Sequence, residues 1–550
     1  TTFDRTLNSM TESNGAITVT VTVTNTGDVA GKDVVGVYYN PPYTNGGIEK
    51  ASVNLIDFAK TDLLDPGESQ VLTMRFNVED MASYDYLNAK AYVLEAGDYG
   101  ISIRSDAHTV LDTTVYTVPE TIVYDADNPR SSDRIAATNL FDEVAGDVVY
   151  LSRKNGFANY AEATAAPATT EMSAENVAAY HLNANFDYDT YIDPADEMPT
   201  TGAKNGLKLA DLRGADYDDA RWDSLLDQLS VQDMLDMTSL CGYQTPAVES
   251  VGKVQTNDAD GPTAINNNFT GAGSIGFPIP TVTACTWNQD LAHAYGEIMG
   301  KMARELDVAG WYAPGINLHR NAFGGRNYEY YSEDAVLTGK MAGNAVAGAE
   351  TQGVYSYIKH FALYDGNYKM VSIWSNEQAM REIYLKPFEI CVKDYGADAV
   401  MDSWNFLGVK WTGENSNLLN TVLRDEWGFR GMVESDYFRD NGHGFMNADA
   451  GLANGMDAML STYGAGPNLP HDHDDPSAST VKYLRQACKN IMYTVVNSWV
   501  YEDGAAASDT NSWVGILVGA DVAAGVLLVG LEVLLVRSWS KRRAKETARK

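Results

Sequence analysis

Cysteine is scarce in this chain: Cys241, Cys285, Cys391 and Cys488 are the only four in 550 residues, widely spaced and with no C-x-x-C pair. A disulfide framework and a structural zinc site are therefore not expected, and buried apolar thiols are. Basic residues are also few, 40 Lys plus Arg against 74 Asp plus Glu, for a formal net charge of −34. Neutralising phosphates needs a basic stripe, so nucleic acid is not an expected partner. A nucleophilic Ser or Cys motif, a Gly-rich phosphate loop and an H-E-x-x-H pair are all missing. No metal, nucleotide or redox cofactor is implied. The chain starts at Thr1, with neither an initiator Met nor a signal peptide, which suggests a processed or truncated piece of something longer.

What is present begins with bulk: 45% hydrophobic and 10% aromatic residues exclude a largely disordered chain. The length predicts about two to four domains. Near the end, Val514–Val536 forms a 23-residue run of mostly Val, Leu, Ala and Gly, interrupted by Asp521 and Glu532. About 20 residues cross a bilayer, so residues 513–539, bracketed by Trp513 and Trp539, are expected to form a transmembrane helix. The tail 540–550 is basic, which predicts a cytoplasmic terminus by the positive-inside rule, with the preceding domains extracellular at a cell membrane. The lipid bilayer is then a partner, and the two acids inside the run call for a partner helix.

Ahead of that run lie two regions of different rhythm. Ile17, Val19, Val21 and Val23 alternate with Thr18, Thr20, Thr22 and Thr24, the period of a half-buried strand. Turns at NTGD and DPGESQ separate further strands, VVGVYYNPP, VLTMRFNV and EAGDYGISI. An antiparallel sandwich of fibronectin III or Ig type is expected over 1–110, followed by an irregular linker with extended arms over 111–221. From Trp222 the chain alternates apolar strands (KVQTNDADG, PTVTACTW, GWYAPGINLH, VYSYIKHF, ADAVMDSWNF, GMVESDYF and MDAMLST) with amphipathic helices such as LAHAYGEIMGKMAREL. This predicts a (β/α)8 TIM-type barrel over 222–500, with a doubly wound sheet as the other possibility, and a short linker over 501–512.

In such a barrel the active site lies where the strands stop. The polar residues there are Asp260, Arg320, Arg326, Lys359, His360, Trp404, Asn405 and Asp436. Two carboxylates, several cations, an imidazole and an aromatic plate suit a polyhydroxylated ligand, because charged groups bind hydroxyls and a ring covers a sugar face. An ionised Asp could attack an anomeric carbon while a second acid protonates the leaving oxygen. Lys359 and His360 are neighbours and would point to opposite faces of a regular strand, so both reach one ligand only if the backbone departs from it. The other charged motifs have plainer readings. HDHDDP at His471–Pro476 reads as a solvated loop at the mouth, and Glu377, Arg381 and Glu382 as surface ion pairing on a helix.

WYAPGINLHRNAFGGRNYEYYSEDAVLTG resembles the G-R-N-x-E-x-x-S-E-D block of glycoside hydrolase family 3. KHFALYD, NEQAMREIYLKPFE, GFRGMVESDYF and NDADGP resemble other blocks of that family, in its order, and the sandwich resembles its fibronectin III-like domain. The resemblance implies a retaining, exo-acting β-glycosidase, foremost a β-glucosidase, cleaving β-linked oligosaccharides or glycosides. It makes Asp436 the nucleophile and puts Asp260, Arg326, Lys359 and His360 on the glycone hydroxyls, with Trp404 where many members have Tyr. A β-xylosidase or N-acetylhexosaminidase of the family is an alternative, as is a membrane-tethered carbohydrate-binding protein without turnover. The sandwich precedes the barrel, as in the permuted members, whose α/β sandwich lies upstream. No Glu of this chain matches the acid/base, which is expected on that upstream domain.

Overall fold

In the computed structural model, residues 1–169, 171–364, 371–438, 444–462, 468–502 and 512–547 are described. The chain divides into two compact units, Thr1–Glu502 and Asp503–Lys550.

The first unit opens with two facing antiparallel sheets. Strands β1 (Phe3–Ser13), β2 (Ala16–Asn25) and β5 (Ser69–Asn77) make one; β4 (Asn54–Lys60), β3 (Val34–Asn40), β6 (Gly97–Arg104) and β7 (Val110–Val118) make the other. Ile17, Val19, Val21 and Val23 of β2 are fully buried in an apolar core that also holds Val35, Val37, Ile101 and Ile103. The alternation is the cause: every second side chain of β2 points inward, and Thr faces the other way. Both ends of the sandwich reach past the alternating segment read from sequence, since Phe3–Ser13 pairs with β2 and Val110–Val118 with β6.

Beyond Val118, Ile122–Tyr124 pairs antiparallel with Ala91–Leu94, and the chain then runs as turns, extended stretches and short helices such as Ala174–Ala179 along the rest of the unit. The Arg134 N–H donates to the Glu426 carbonyl at 2.9 Å, the Asp193 N–H to Ser479 Oγ at 2.8 Å, and the Tyr483 hydroxyl to the Tyr191 carbonyl at 3.0 Å.

The next sheet is parallel along β8 (Thr256–Asp260), β9 (Gly310–Tyr312), β10 (Tyr355–Phe361), β11 (Ala399–Asp402) and β12 (Met432–Glu434). Between or after these strands pack the helices α1 (Gln289–Glu305), α2 (Ala335–Glu350), α3 (Lys386–Lys393) and α4 (Ala478–Val496). The Tyr312 hydroxyl on β9 lies 3.5 Å from Glu434 Oε1 on β12, three strands away, so the sheet curls back on itself around an interior.

Three parts of the expected architecture are corrected. The sheet is not an eightfold parallel barrel among the described residues: five strands run parallel, and Gln244–Thr245 pairs antiparallel to β8. PTVTACTW, expected as a strand, is helical over Pro280–Cys285, because Pro280 at the first turn loses no helical hydrogen bond and has φ preset for it. MDAMLST contributes only a parallel bridge, Glu434 with Ala458.

A further correction concerns the membrane. Among the described residues no helix is long and apolar enough to cross a bilayer. The second unit holds a helix, α5 (Ser512–Thr547). Its described apolar side chains run from Leu527 to Val536, contain Glu532, and pass directly into the charged segment from Arg537. The expected transmembrane helix at 513–539, with its bilayer partner and cell-membrane placement, is thereby overturned.

Candidate active site

The inward positions of the parallel strands form two polar layers. Residues two apart on a strand share a face, so Asp258 with Asp260, Tyr357 with Lys359, and Glu434 with Asp436 stack in pairs. The upper member of each pair lies at the strand end, where the expected site was placed.

Asp436 is 7% exposed. Its Oδ1 accepts the Tyr437 N–H at 2.7 Å, while Oδ2 has no hydrogen-bond partner among the described residues and lies 3.8 Å from His360 Nε2. Burial pushes its carboxyl up to about 6, opposed by the Arg326 and Lys359 cations and the Tyr437 N–H. Asp260 behaves oppositely. Burial raises it, but Lys359, whose Nζ donates to Oδ1 at 3.0 Å, and the Gly261 N–H at 2.8 Å hold it below the usual carboxylate range. One carboxylate is thus fixed as an anion and the other is poised to change charge near neutrality.

The Lys359–His360 peptide bond is cis, as is Phe361–Ala362. The two successive side chains reach one group of carboxylates, Lys359 to Asp260 and His360 to Asp436. The His360 backbone is clamped by Asn317, which accepts its N–H at 2.7 Å and donates to its carbonyl at 2.8 Å. His360 is 1% exposed, its Nδ1 lies 3.2 Å from the Tyr330 hydroxyl, and burial plus the Arg326 and Lys359 cations hold it well below its ordinary value, hence neutral.

Arg326 pairs with the buried Glu329 and sits over the Tyr364 ring at 5.5 Å, so it makes a structural ion pair and still lends positive charge to Asp436 and Asp260. Trp404 Nε1 donates to the Tyr437 carbonyl at 3.2 Å, which ties its indole to the segment carrying Asp436. All six predicted residues, Asp260, Arg326, Lys359, His360, Trp404 and Asp436, are therefore brought together. Two other strand-end residues serve elsewhere: Asn405 is buried and donates to the Ala362 carbonyl at 3.2 Å, and Arg320 is exposed, 4.8 Å from the Tyr384 ring.

Several residues around the site were not singled out from sequence: Asn317, Tyr330 and Tyr364, and beneath them Asp258, Asp402 and Glu434. Their signal was parity with the strand-end residues or aromatic content inside YEYY and HFALY. Asp402 is fully buried, and burial pushes its carboxyl far up.

Two further readings change. Glu377, Arg381 and Glu382 are not a surface patch. Arg381 is 3% exposed and binds Glu377 Oε1 at 2.8 Å, both Glu426 oxygens at 2.7 and 3.0 Å, and the Thr138 carbonyl at 2.8 Å. Of the cysteines, Cys241, Cys391 and Cys488 are buried but Cys285 is exposed. In the HDHDDP loop, His471 Nδ1 lies 2.7 Å from Asp449 Oδ1, and Asp472 Oδ2 accepts from Ser477 N–H and Thr480 Oγ1 at the start of α4. Ligand-type atoms of Asp449, His471 and Asp472 lie within 4.8 Å of one another, and capping engages one Asp472 oxygen.

Both regions of the chain are similar to known proteins. Residues 260–491 match the glycosyl hydrolase family 3 N-terminal domain, and residues 33–107 match a fibronectin type III-like domain. Over 440 residues the chain is 33% identical to beta-glucosidase A of Butyrivibrio fibrisolvens, covering 77% of this chain and 51% of that protein. Over 443 residues it is 30% identical to a beta-glucosidase of Ruminococcus albus, covering 77% of this chain and 43% of that one. The crystal structure of a beta-glucosidase from Paenibacillus barengoltzii superposes with a TM-score of 0.72 at 27% identity, over 91% of this chain and 56% of that one. The chain spans about half the length of the curated relatives it matches. By these matches the chain carries a glycosyl hydrolase family 3 N-terminal domain together with the fibronectin type III-like domain that precedes it.

Proposed function

We propose that this chain carries the nucleophile and the glycone pocket of a retaining, exo-acting β-glucosidase. The observation that supports it most is the asymmetry of Asp436: Oδ1 is held by a backbone N–H, while Oδ2 is buried among cations, without a hydrogen-bond partner among the described residues. An oxygen so held is oriented without being neutralised, as a nucleophile requires.

Asp436 Oδ2 attacks the anomeric carbon, the bond to the leaving oxygen breaks, and that oxygen takes a proton. Water then cleaves the glycosyl–Asp ester and restores the carboxylate. The ionised Asp260 accepts from sugar hydroxyls and Lys359 donates to them, charge-assisted bonds that discriminate hydroxyl stereochemistry. Neutral His360 can offer a ring nitrogen to the same hydroxyls without repelling the oxocarbenium-like transition state. The Trp404 indole gives a sugar an apolar face to lie on. No residue here is assigned the proton donation.

Similarity to proteins named beta-glucosidases supports glucose as the glycone ahead of xylose or N-acetylglucosamine. The test is labelling with a 2-fluoro-glucoside bearing a good leaving group, which needs little acid help. Mass spectrometry of the peptides should find the sugar on Asp436, and aryl glucoside should outpace aryl xyloside and N-acetylglucosaminide. A label on another carboxylate, or unimpaired turnover by Asp436→Asn, removes the reading.

A further inference from the structure

Under Asp436 the barrel interior is not apolar. Asp258 and Glu434 are both fully buried one layer down, among the hydroxyls of Tyr312, Tyr355 and Tyr357. Their surroundings differ sharply. Asp258 accepts the Tyr355 hydroxyl at 2.7 Å on one oxygen and the Tyr357 hydroxyl at 3.0 Å on the other. From Tyr355 a relay continues to Thr256 at 3.2 Å, Thr245 at 2.6 Å and the buried Lys253 Nζ at 2.7 Å, so a cation sits at its far end. Glu434 has weaker partners: Oε1 meets the Tyr312 hydroxyl at 3.5 Å, the outer limit of a hydrogen bond, the Tyr357 hydroxyl that bonds Asp258 is also close enough to favour its charge, and Oε2 has no partner among the described residues.

An ionised carboxylate so poorly partnered costs several kcal/mol to bury, whereas a neutral acid costs far less. Two phenol donors and a linked ammonium make Asp258 the better holder of charge. We propose that Glu434 is a positioning residue that stays a neutral acid beneath the nucleophile, and that at neutral pH the single negative charge of this layer rests on Asp258, where it makes Asp436 harder to ionise. This rests on Asp436 being the nucleophile.

The charges facing the pair come from every neighbouring strand. Asp436 lies above Glu434 on β12, Lys253 and Cys241 lie below, and the three tyrosines close β9 and β10. Burial pushes Asp258 up to about 6 and Glu434 well above its ordinary value, which agrees with the division drawn from geometry. Arg326 and Lys359 oppose the negative charge at Asp436 from above, and Asp260 and Asp402 add to it.

The test uses the chain as it is, without turnover. Infrared spectra at neutral pH should contain a buried carboxylic-acid C=O band that Glu434→Gln removes and Asp258→Asn retains. Calorimetric titration with a cationic iminosugar, which needs an ionised partner, should weaken as pH falls, with a midpoint that reports Asp436. Glu434→Gln should leave that midpoint unmoved, while Asp258→Asn should lower it by about half a unit to one unit through loss of a nearby anion. If Asp258→Asn does not fold, Tyr355→Phe removes only one donor to Asp258, weakens its hold on charge, and lowers the midpoint by a smaller step. No lost band with Glu434→Gln, or a midpoint displaced by Glu434→Gln as much as by Asp258→Asn, overturns the proposal. A midpoint that survives Asp436→Asn overturns the nucleophile assignment instead, and is distinguishable because the infrared result does not depend on it.

Discussion

The sandwich and the barrel solve the problem of an interior in opposite ways. Between its sheets the sandwich buries aliphatic side chains such as Ile17, Val21, Val37 and Ile103, and β2 carries no titratable group. Inside the parallel sheet the chain buries Asp258, Lys253, Asp402 and Glu434, ringed by tyrosines. Burying acids costs stability that an aliphatic core would supply. The barrel carries that cost where its function lies, and the two regions should therefore answer differently to mutation and to pH.

The largest effect on catalysis is expected at the top of the polar interior. Asp436→Asn should lower glucoside turnover by about a thousandfold or more in steady-state assays of the complete enzyme, with little change in fold by circular dichroism. Next comes Arg381→Ala, which strands the buried Glu377 and Glu426 and should cost about 3–5 kcal/mol in denaturant unfolding. Ile17→Ala in the sandwich should cost about 3 kcal/mol by the same measurement, and equally at pH 5 and pH 8. If that loss varies with pH, the contrast between the interiors fails.

The pH response itself gives a smaller effect. Asp436, Asp258 and Asp457 hold their protons to about 6 in the folded chain. Unfolded, they release them near 4, so the native state binds more protons across that window. Their favourable contribution is complete below about 4 and is lost as pH rises past about 6. Asp436→Asn should then raise stability by about 1–2 kcal/mol at pH 7 and leave it unchanged at pH 4, measured by urea titration. Lys340→Met, which removes the 2.7 Å contact to Asp57 between barrel and sandwich, should cost only about 1 kcal/mol.

The sequence disclosed these two interiors unequally. Alternation of Val and Thr in β2 is unambiguous because one face is apolar and the other hydroxylic. Strand-end polar residues such as Asp260 and Lys359 stood out because apolar runs stopped there. Glu434 did not, since an acid within GMVESDYF suggests exposure, and only three-dimensional closure reveals that it faces tyrosines from other strands. Arg381 and Glu377 have the spacing of a surface pair, and nothing local distinguishes that from a pair roofed by Thr138 and Glu426. PTVTACTW had the β-branched composition of a strand, and the proline's place at a helix start decided otherwise. The C-terminal run had length and flanking tryptophans, yet among the described residues no helix is long and apolar enough to cross a bilayer.

The Arg381 cluster has a mechanical meaning as well. Its carboxylates are gripped by three stretches of chain at once: Glu377 Oε2 takes the amides of Leu140 and Phe141, and Arg381 reaches both Thr138 and Glu426. Nearby, the Tyr84 amide of the sandwich donates to Glu382. A knot that joins sandwich, arm and barrel cannot loosen on one side alone. Heating residues 1–502 should therefore give a single calorimetric peak for both regions, not one melting ahead of the other.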